Sequence, residues 1–275
     1  MKYFNTMIPT PAQIEEFVLN LEALTQREVI RIRLSLADAL AVTDSKFGGV
    51  PYIPKGGALP KSAEGKPLFM LAQINCEQLP ENNLYPKKGL LQFWIAATDD
   101  YLYGIDFDNP CSNDNKRVLY YPTIGEALPA EAFAEHYTFE DCYLPFDADL
   151  QFALRFTKGT ESFTLYDEAS QRFFIEKWNS TFDDEVGEIW DLPEDVFKLL
   201  DKAIGHKIGG YPYFTQYDPR KEGDSHTFLL LQIDSDEVKG KEILWGDCGV
   251  ANFFISPEDM ANCKFDDVLY NWDCS

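Results

Sequence analysis

Histidine is scarce in this chain. His136, His206 and His226 are the only three in 275 residues, so a histidine-rich metal site or a clustered proton relay has little to draw on. Basic charge is also short. Lys and Arg number 24 against 46 Asp and Glu, a formal net charge of −22. No Lys/Arg cluster offers the basic face that phosphate contacts need, so direct nucleic-acid binding is disfavoured and none is expected. The acidic excess reads either as a solvated surface or as a face for a basic protein partner. None of Cys76, Cys111, Cys142, Cys248, Cys263 and Cys274 forms a Cys-x-x-Cys pair, and their spacings to histidine match no zinc pattern. No apolar run approaches the roughly 18–20 residues that span a bilayer, and the first twenty residues carry Glu15 and Glu16 in place of an apolar signal core. A cytoplasmic chain with reduced thiols and no membrane contact is therefore expected. Also missing are a Gly-x-Ser-x-Gly elbow, a phosphate loop, a dinucleotide-binding glycine pattern and His-Glu-x-x-His. No cofactor is expected.

What the chain does have is one stretch written twice. Lys46-Phe-Gly-Gly-Val-Pro-Tyr-Ile53, Leu68–Ile74 and Gly89–Ile95 recur as Lys207-Ile-Gly-Gly-Tyr-Pro-Tyr-Phe214, Phe228–Ile233 and Gly249–Ile255, offset by 159–161 residues. Three blocks in one order at one offset point to internal duplication. Hydrophobic residues make up 45% and aromatic residues 15%, which suits a bulky, strand-rich core. A chain this long buries about 75% of its unfolded surface and needs no staples.

Thr10-Pro11-Ala-Gln13 is a helix start, and Ile14, Phe17, Val18, Leu21 and Leu24 then share one stripe. From Ile30 the period becomes two, with Arg31 and Arg33 on the outward face of a strand. Strands are expected at 68–74, 90–96 and 117–121, and again in the tail at 265–272. A further strand is read from the alternation of Tyr101, Tyr103, Ile105 and Phe107. Helices are expected at 127–135, at 193–203 and after Ser256-Pro257. The stretch 140–174 is aromatic and broken by turns, and 179–188 reads as an exposed acidic connector.

Several residues are candidates for a site. Gly48-Gly49 and Gly209-Gly210 suit either a tight bend into a strand or a backbone loop lining a pocket. Gln73 and Gln232 interrupt apolar strands and must find buried partners, at a cost of about 1–3 kcal/mol otherwise. In Trp245-Gly-Asp247-Cys-Gly249, Asp247 either caps a turn or anchors a ligand against the Trp245 wall. Asp106 and Asp108, on one face of the expected strand about 7 Å apart, repel by ~2–2.5 kcal/mol at an effective dielectric near 20. If exposed, the pair costs little; if recessed, it asks for a metal cation, an arginine or a raised pKa. His206, beside the second glycine pair, reads as a hydrogen-bonded histidine.

Ser45-Lys-Phe-Gly-Gly-Val-Pro-Tyr, Leu71-Ala-Gln-Ile74, Lys116-Arg-Val-Leu-Tyr120, Gly209-Gly-Tyr-Pro212, Leu229–Ile233 and Trp245-Gly-Asp-Cys-Gly249 together resemble the bacterial YwqG-like family of unknown function. The resemblance runs from about Ser45 to Asp259. It implies a complex α+β fold in one cytoplasmic domain, and it implies no activity and no catalytic residue.

The expected architecture is one α+β domain over 1–275. Its antiparallel-rich or mixed β-sheets come from two diverged internal repeats, 46–110 and 207–260, around a variable middle at 140–190. Peripheral helices lie at about 11–24 and 193–203. A duplicated unit is expected to form a groove in which the two glycine pairs face each other, with Gln73, Gln232, Trp245 and Asp247 as ligand contacts. The expected function is non-catalytic binding or protein interaction, towards a basic protein or a small molecule. The alternative is a hydrolase-like or metal-dependent enzyme built on Asp106, Asp108 and Asp247.

Overall fold

The computed structural model describes residues 9–98, 102–200 and 203–275. The period-two stretch becomes β1 (Arg27–Leu36), followed by β2 (Lys46–Gly48), β3 (Phe69–Asn75), β4 (Leu90–Ile95) and β5 (Lys116–Tyr121). Then come β6 (Gln151–Glu161), β7 (Lys207–Gly209), β8 (Phe228–Asp234), a hairpin of β9 (Asp236–Val238) and β10 (Lys241–Ile243), β11 (Val250–Ile255) and β12 (Val268–Asp273). Among the described residues four helices accompany them: α1 (Pro11–Leu24), α2 (Glu168–Phe182), α3 (Glu194–Leu199) and α4 (Pro257–Ala261).

Ten of the strands form one antiparallel sheet in the order β12-β11-β8-β7-β1-β6-β2-β3-β4-β5. The order shows an exchange. β1 does not pair with β2, its successor in the chain, but with β7, while β6 pairs with β2. β1 and β6 then pair with each other from Arg27↔Glu161 to Leu36↔Phe152. The sheet curls until strands near its two edges meet, so that the rings of Phe93 on β4 and Phe253 on β11 lie 5.0 Å apart inside a nearly closed barrel. At the seam, Tyr270 N–H donates to Pro110 O at 3.0 Å, Asn113 Nδ2 donates to Asp266 O at 2.6 Å, and Lys116 Nζ donates to Val268 O.

The backbone hydrogen bonds of the two buried amides correspond, and Gln73 Oε1 in addition accepts from Gln92 Nε2 at 2.8 Å. Gln73 Oε1 accepts from Tyr52 N–H, and its Nε2 donates to Val42 O and Asp44 O. Gln232 repeats this set with Tyr213 N–H, Ala203 O and Gly205 O. Gly49 N–H donates to Leu150 O, and Gly210 N–H donates to Glu28 O. Gly48 and Gly209 have φ of +65° and +70°, and a Cβ on either would stand 2.5 Å from Leu150 O or 2.7 Å from Leu84. Left-handed backbone and close packing together exclude side chains there. Both halves also carry a bulge one residue wide, between Met70 and Ala72 on β3 and opposite Phe253/Phe254 on β8.

β3, β4 and β11 are buried at every residue, because the barrel fills one face and loops or helices cover the other. The outer face of β3 and β4 packs Met70 and Trp94 against Ile53 and Phe133. α1, α2 and α3 make a separate apolar layer with Phe17, Phe174, Trp178 and Val196 at its centre. Among the described residues no helix is long and apolar enough to cross a membrane.

The α+β expectation is therefore corrected. The fold is mostly β, about 20% helical, with the helices laid on one large curled sheet. The long-range partner of β1 is the reason. β6 lies in the stretch expected to be irregular, and only that strand joins the halves into one sheet. The helix expected at 127–135 is two single 3-10 turns, Ala130–Ala132 and Ala134–His136, because neither has a side-chain cap nor a buried residue to extend it. The helix expected at 193–203 stops at Leu199, where Leu200 turns extended, and residues 201–202 lie outside the described part. Conversely, 179–182 belong to α2 rather than to a connector. α2 is capped by Asp167, whose Oδ1 accepts from Ser170 N–H at 3.0 Å.

Replacing either buried amide with a near-isosteric leucine strands one N–H and two carbonyls. Gln73→Leu and Gln232→Leu are each expected to lower unfolding free energy by at least about 1–3 kcal/mol. Gln73→Leu should cost at least as much as Gln232→Leu in urea titrations, because it also removes an acceptor of Gln92 Nε2. A neutral result at either position would contradict the matched network.

Candidate functional site

The residues nominated from sequence do not converge. The glycine pairs pack against opposite ends of the β1–β6 ladder: Gly48 opposite Gln151, and Gly209 opposite Val29. That places them roughly 25 Å apart along the strands, so the groove with facing glycines does not form. Gln73 and Gln232 are wholly buried and spend their amides on backbone. Trp245 is wholly buried against Tyr103 and Trp272, with ring centroids at 5.5 and 6.2 Å. Its Nε1 has no hydrogen-bond partner. Asp247 is exposed on the following turn. A Cβ on Gly249 would stand 1.9 Å from Asp273 O, so close passage of β12 explains that glycine.

Asp106 and Asp108 are not on a strand. Residues 102–110 form turns around Tyr103 at φ +49° and Gly104 at φ +77°, and two left-handed residues in sequence cannot continue an extended chain. Tyr101 lies outside the described residues. Asp106 Oδ1 accepts from the N–H groups of Asp108 and Asn109 at 3.0 and 2.9 Å, an Asx turn. Among the described residues no cluster of three metal-type donors includes either residue. His206 is structural: its Nδ1 accepts from Asp234 N–H at 3.0 Å and its Nε2 lies 3.2 Å from Asp236.

Two other places gather chemistry. The first is a cleft of about 420 Å³ between the helical layer and the segment before β8. Tyr166, Trp190, Phe197, Phe214 and Tyr217 supply its aromatic walls, with the amides of Gln171 and Gln216 among them. Trp190 and Phe197 stack at 6.4 Å with planes 13° apart, and Trp190 is 78% exposed.

The second is a cluster at the barrel seam. His226 Nδ1 lies 2.7 Å from Asp224 Oδ1, and its Nε2 lies 3.7 Å from Cys111 Sγ and 3.3 Å from Asp267 Oδ1. Arg220, paired two-pronged with Asp218 at 2.8 and 2.7 Å, donates to His226 O and lies over the Phe254 ring at 4.2 Å. Thiol, imidazole and carboxylate in line resemble a nucleophile, base and orienting acid. The electrostatics oppose that use. Burial, then the Asp267 charge, push the Cys111 thiol up to about 11, whereas a reactive cysteine needs its pKa lowered. Burial also works against the Asp224 charge, but the His226 backbone and ring outweigh it and hold Asp224 below the usual carboxylate range. Lys116, with its Nζ on Cys111 O and Val268 O, is lowered to about 8 by burial.

A family profile matches residues 45–274, which takes in the whole sheet except β1 and both of these places. The chain belongs to DUF1963, a domain family of unknown function. No curated protein matches it. DUF1963 membership thus covers every one of the paired sequence blocks and assigns none of them an activity.

Sequence reasoning overlooked both places in the DUF1963 chain for a physical reason. Cys111, His226 and Asp267 precede β5, β8 and β12 respectively, so their meeting depends on barrel closure and not on local spacing. One signal was available. Asp224-Ser-His226 puts an acid two residues before a scarce histidine, the spacing at which a turn lets one hold the other.

Alkylation followed by mass spectrometry checks the seam electrostatics. At neutral pH the exposed Cys248 and Cys263 are expected to react first, with Cys111 and the buried Cys76 far behind. Because burial pushes the Cys111 thiol up to about 11, its labelling should rise about tenfold per pH unit above neutrality. Labelling of Cys111 as fast as Cys248 at pH 7 would refute this environment.

Proposed function

We propose that this DUF1963 protein is a binding protein whose ligand is a small, uncharged or cationic organic molecule with a flat apolar face. The observation that carries this reading is the aromatic cleft between the helical layer and residues 214–218. Its volume of about 420 Å³ falls in the range of ordinary ligand pockets, which combine apolar walls with a few polar groups. The Trp190–Phe197 stack leaves a flat surface in water, and a large exposed aromatic pair is costly without a use. The amides of Gln171 and Gln216 offer donors and acceptors without charge. A net charge of −22 repels anions at long range, which favours neutral or cationic ligands.

A second reading is supported by the rim. Leu199 and Ile204 are exposed at 40% and 60% close to Trp190 and Phe197 in the chain. An apolar side chain on a basic protein partner would then enter the same cleft, steered by the acidic surface. Among the described residues, Asp106, Asp108 and Asp247 belong to no cluster of three metal-type donors that would support the enzymatic alternative.

A thermal-shift screen of matched neutral, cationic and anionic ring compounds tests the first reading. Stabilisation is expected from the first two classes only. Trp190→Ala, at the surface, should weaken the response about tenfold, the ~1.4 kcal/mol of a stacked aromatic contact. Stabilisation by anions alone, or indifference to Trp190→Ala, would overturn it. Binding of a basic protein that weakens with added salt and with Trp190→Ala would select the second reading.

A further inference from the structure

The seam cluster has more hydrogen-bond acceptors than donors. Asp224 takes the Nδ1 side of His226 at 2.7 Å, which fixes the proton there and turns the Nε2 lone pair towards Cys111 and Asp267. Nε2 then faces a carboxylate oxygen at 3.3 Å and a sulfur at 3.7 Å. A lone pair, a carboxylate and a sulfur with one thiol proton among them call for a positive charge at their centre. Lys116 does not supply it, because its Nζ is directed to Cys111 O, Asn113 Oδ1 and Val268 O. Arg220 is engaged by Asp218.

The spacings suit a metal ion. Tetrahedral zinc, with Zn–S about 2.3 Å and Zn–N and Zn–O about 2.0 Å, holds sulfur and nitrogen about 3.5 Å apart and nitrogen and oxygen about 3.3 Å apart. The corresponding separations are 3.7 and 3.3 Å, and all three donor atoms lie within 4.8 Å of one another. Thiolate and imidazole favour zinc, cobalt and their neighbours over calcium or magnesium. Access is open on one side: the side chain of Asp267 is 60% exposed while that of His226 is 10%. Asp224 sits where an outer carboxylate orients a metal-bound histidine.

We propose that Cys111, His226 and Asp267 bind a divalent zinc-type metal ion that clips the two edges of the curled sheet together. Cys111 stands in the loop before β5 at one edge, and Asp267 stands before β12 at the other. His226 precedes β8, two strands in from β12. The metal ties all three, where a few hydrogen bonds otherwise hold the seam. On binding, the Cys111 thiol loses its proton to solvent and sulfur donates its electron pair to the metal, with no change of oxidation state. Three protein donors leave a fourth position for water. This site is independent of the aromatic cleft, and neither stands or falls with the other.

Cobalt titration of chelator-treated full-length protein tests it. One equivalent of Co²⁺ is expected to give tetrahedral d–d bands with a thiolate-to-cobalt charge-transfer band. Zn²⁺ should displace both, and excess Ca²⁺ or Mg²⁺ should not. Cys111→Ser should abolish the charge-transfer band and Cys248→Ser should keep it. Asp224→Asn is expected to retain the band while weakening affinity roughly 10–100-fold. Zn²⁺ should raise the urea midpoint of wild type and not of Cys111→Ser. Absence of bands in wild type, the result expected if an imidazolium proton alone supplies the charge, overturns the proposal. So does a charge-transfer band that survives Cys111→Ser. An unchanged affinity in Asp224→Asn removes the part assigned to that residue.

Discussion

Ten residue pairs between β1 and β6 hold the two halves of this protein in one sheet. Each of these strands also serves the half it does not belong to, β1 beside β7 and β6 beside β2. Neither set of blocks can complete its sheet alone, because the strand next to it is supplied by the other. The ladder also carries a two-fold relation. Arg33 stands directly opposite Arg155 at the centre of that relation, and the contacts on either side correspond outward to the two glycine pairs. Like charges opposite each other weaken a sheet. Both arginines are exposed, where water screens the repulsion to a small value.

From this ladder follow the buried amides and the glycines. β2 and β7 are only three residues long, so the chain around them leaves backbone groups without strand partners. Gln73 and Gln232 reach across to satisfy those groups, each serving three. A buried polar side chain in an apolar strand is tolerated because every one of its hydrogen bonds is made. The glycines then let the chain leave each short strand in a left-handed turn against β6 or β1. What looks in sequence like a twin binding loop is thus two copies of one joint.

Local rules were readable and long-range ones were not. α1 was legible because its capping box and its stripe of Ile14, Phe17, Val18 and Leu21 agree with each other. The buried amides were legible because a glutamine inside an apolar strand admits few explanations. β6 was not legible: its pattern of half-buried and exposed residues carries little apolar contrast, and its identity comes from β1, far away in the chain. α2 was hidden by Phe173, Phe174, Trp178 and Phe182, which have strand-like propensity yet here fill one side of a helical layer. Asp106 misled for the opposite reason. Alternation is only a pattern of side chains, and two left-handed residues before Asp106 decide that no strand exists to display it.

The segment between β7 and β8 ties these threads together. Its first part, Phe214 to Asp218, walls the aromatic cleft. Asp218 then grips Arg220, and Arg220 lies on Phe254 and bonds His226 O. The same carboxylate that borders the cleft therefore fixes the arginine that positions the histidine of the seam. In the first half, the chain between β2 and β3 has no such acid–arginine–histidine series, although the strands on either side of it correspond. The strand frame and its glutamine joints correspond in the two halves, whereas this acid–arginine–histidine series lies in one of them. A search for paired sites in such a protein looks at the wrong residues, because positions that still match are those the frame itself requires. Cys111, His226 and Asp267, and the aromatic walls of the cleft other than Phe214, lie outside the blocks that match between the halves.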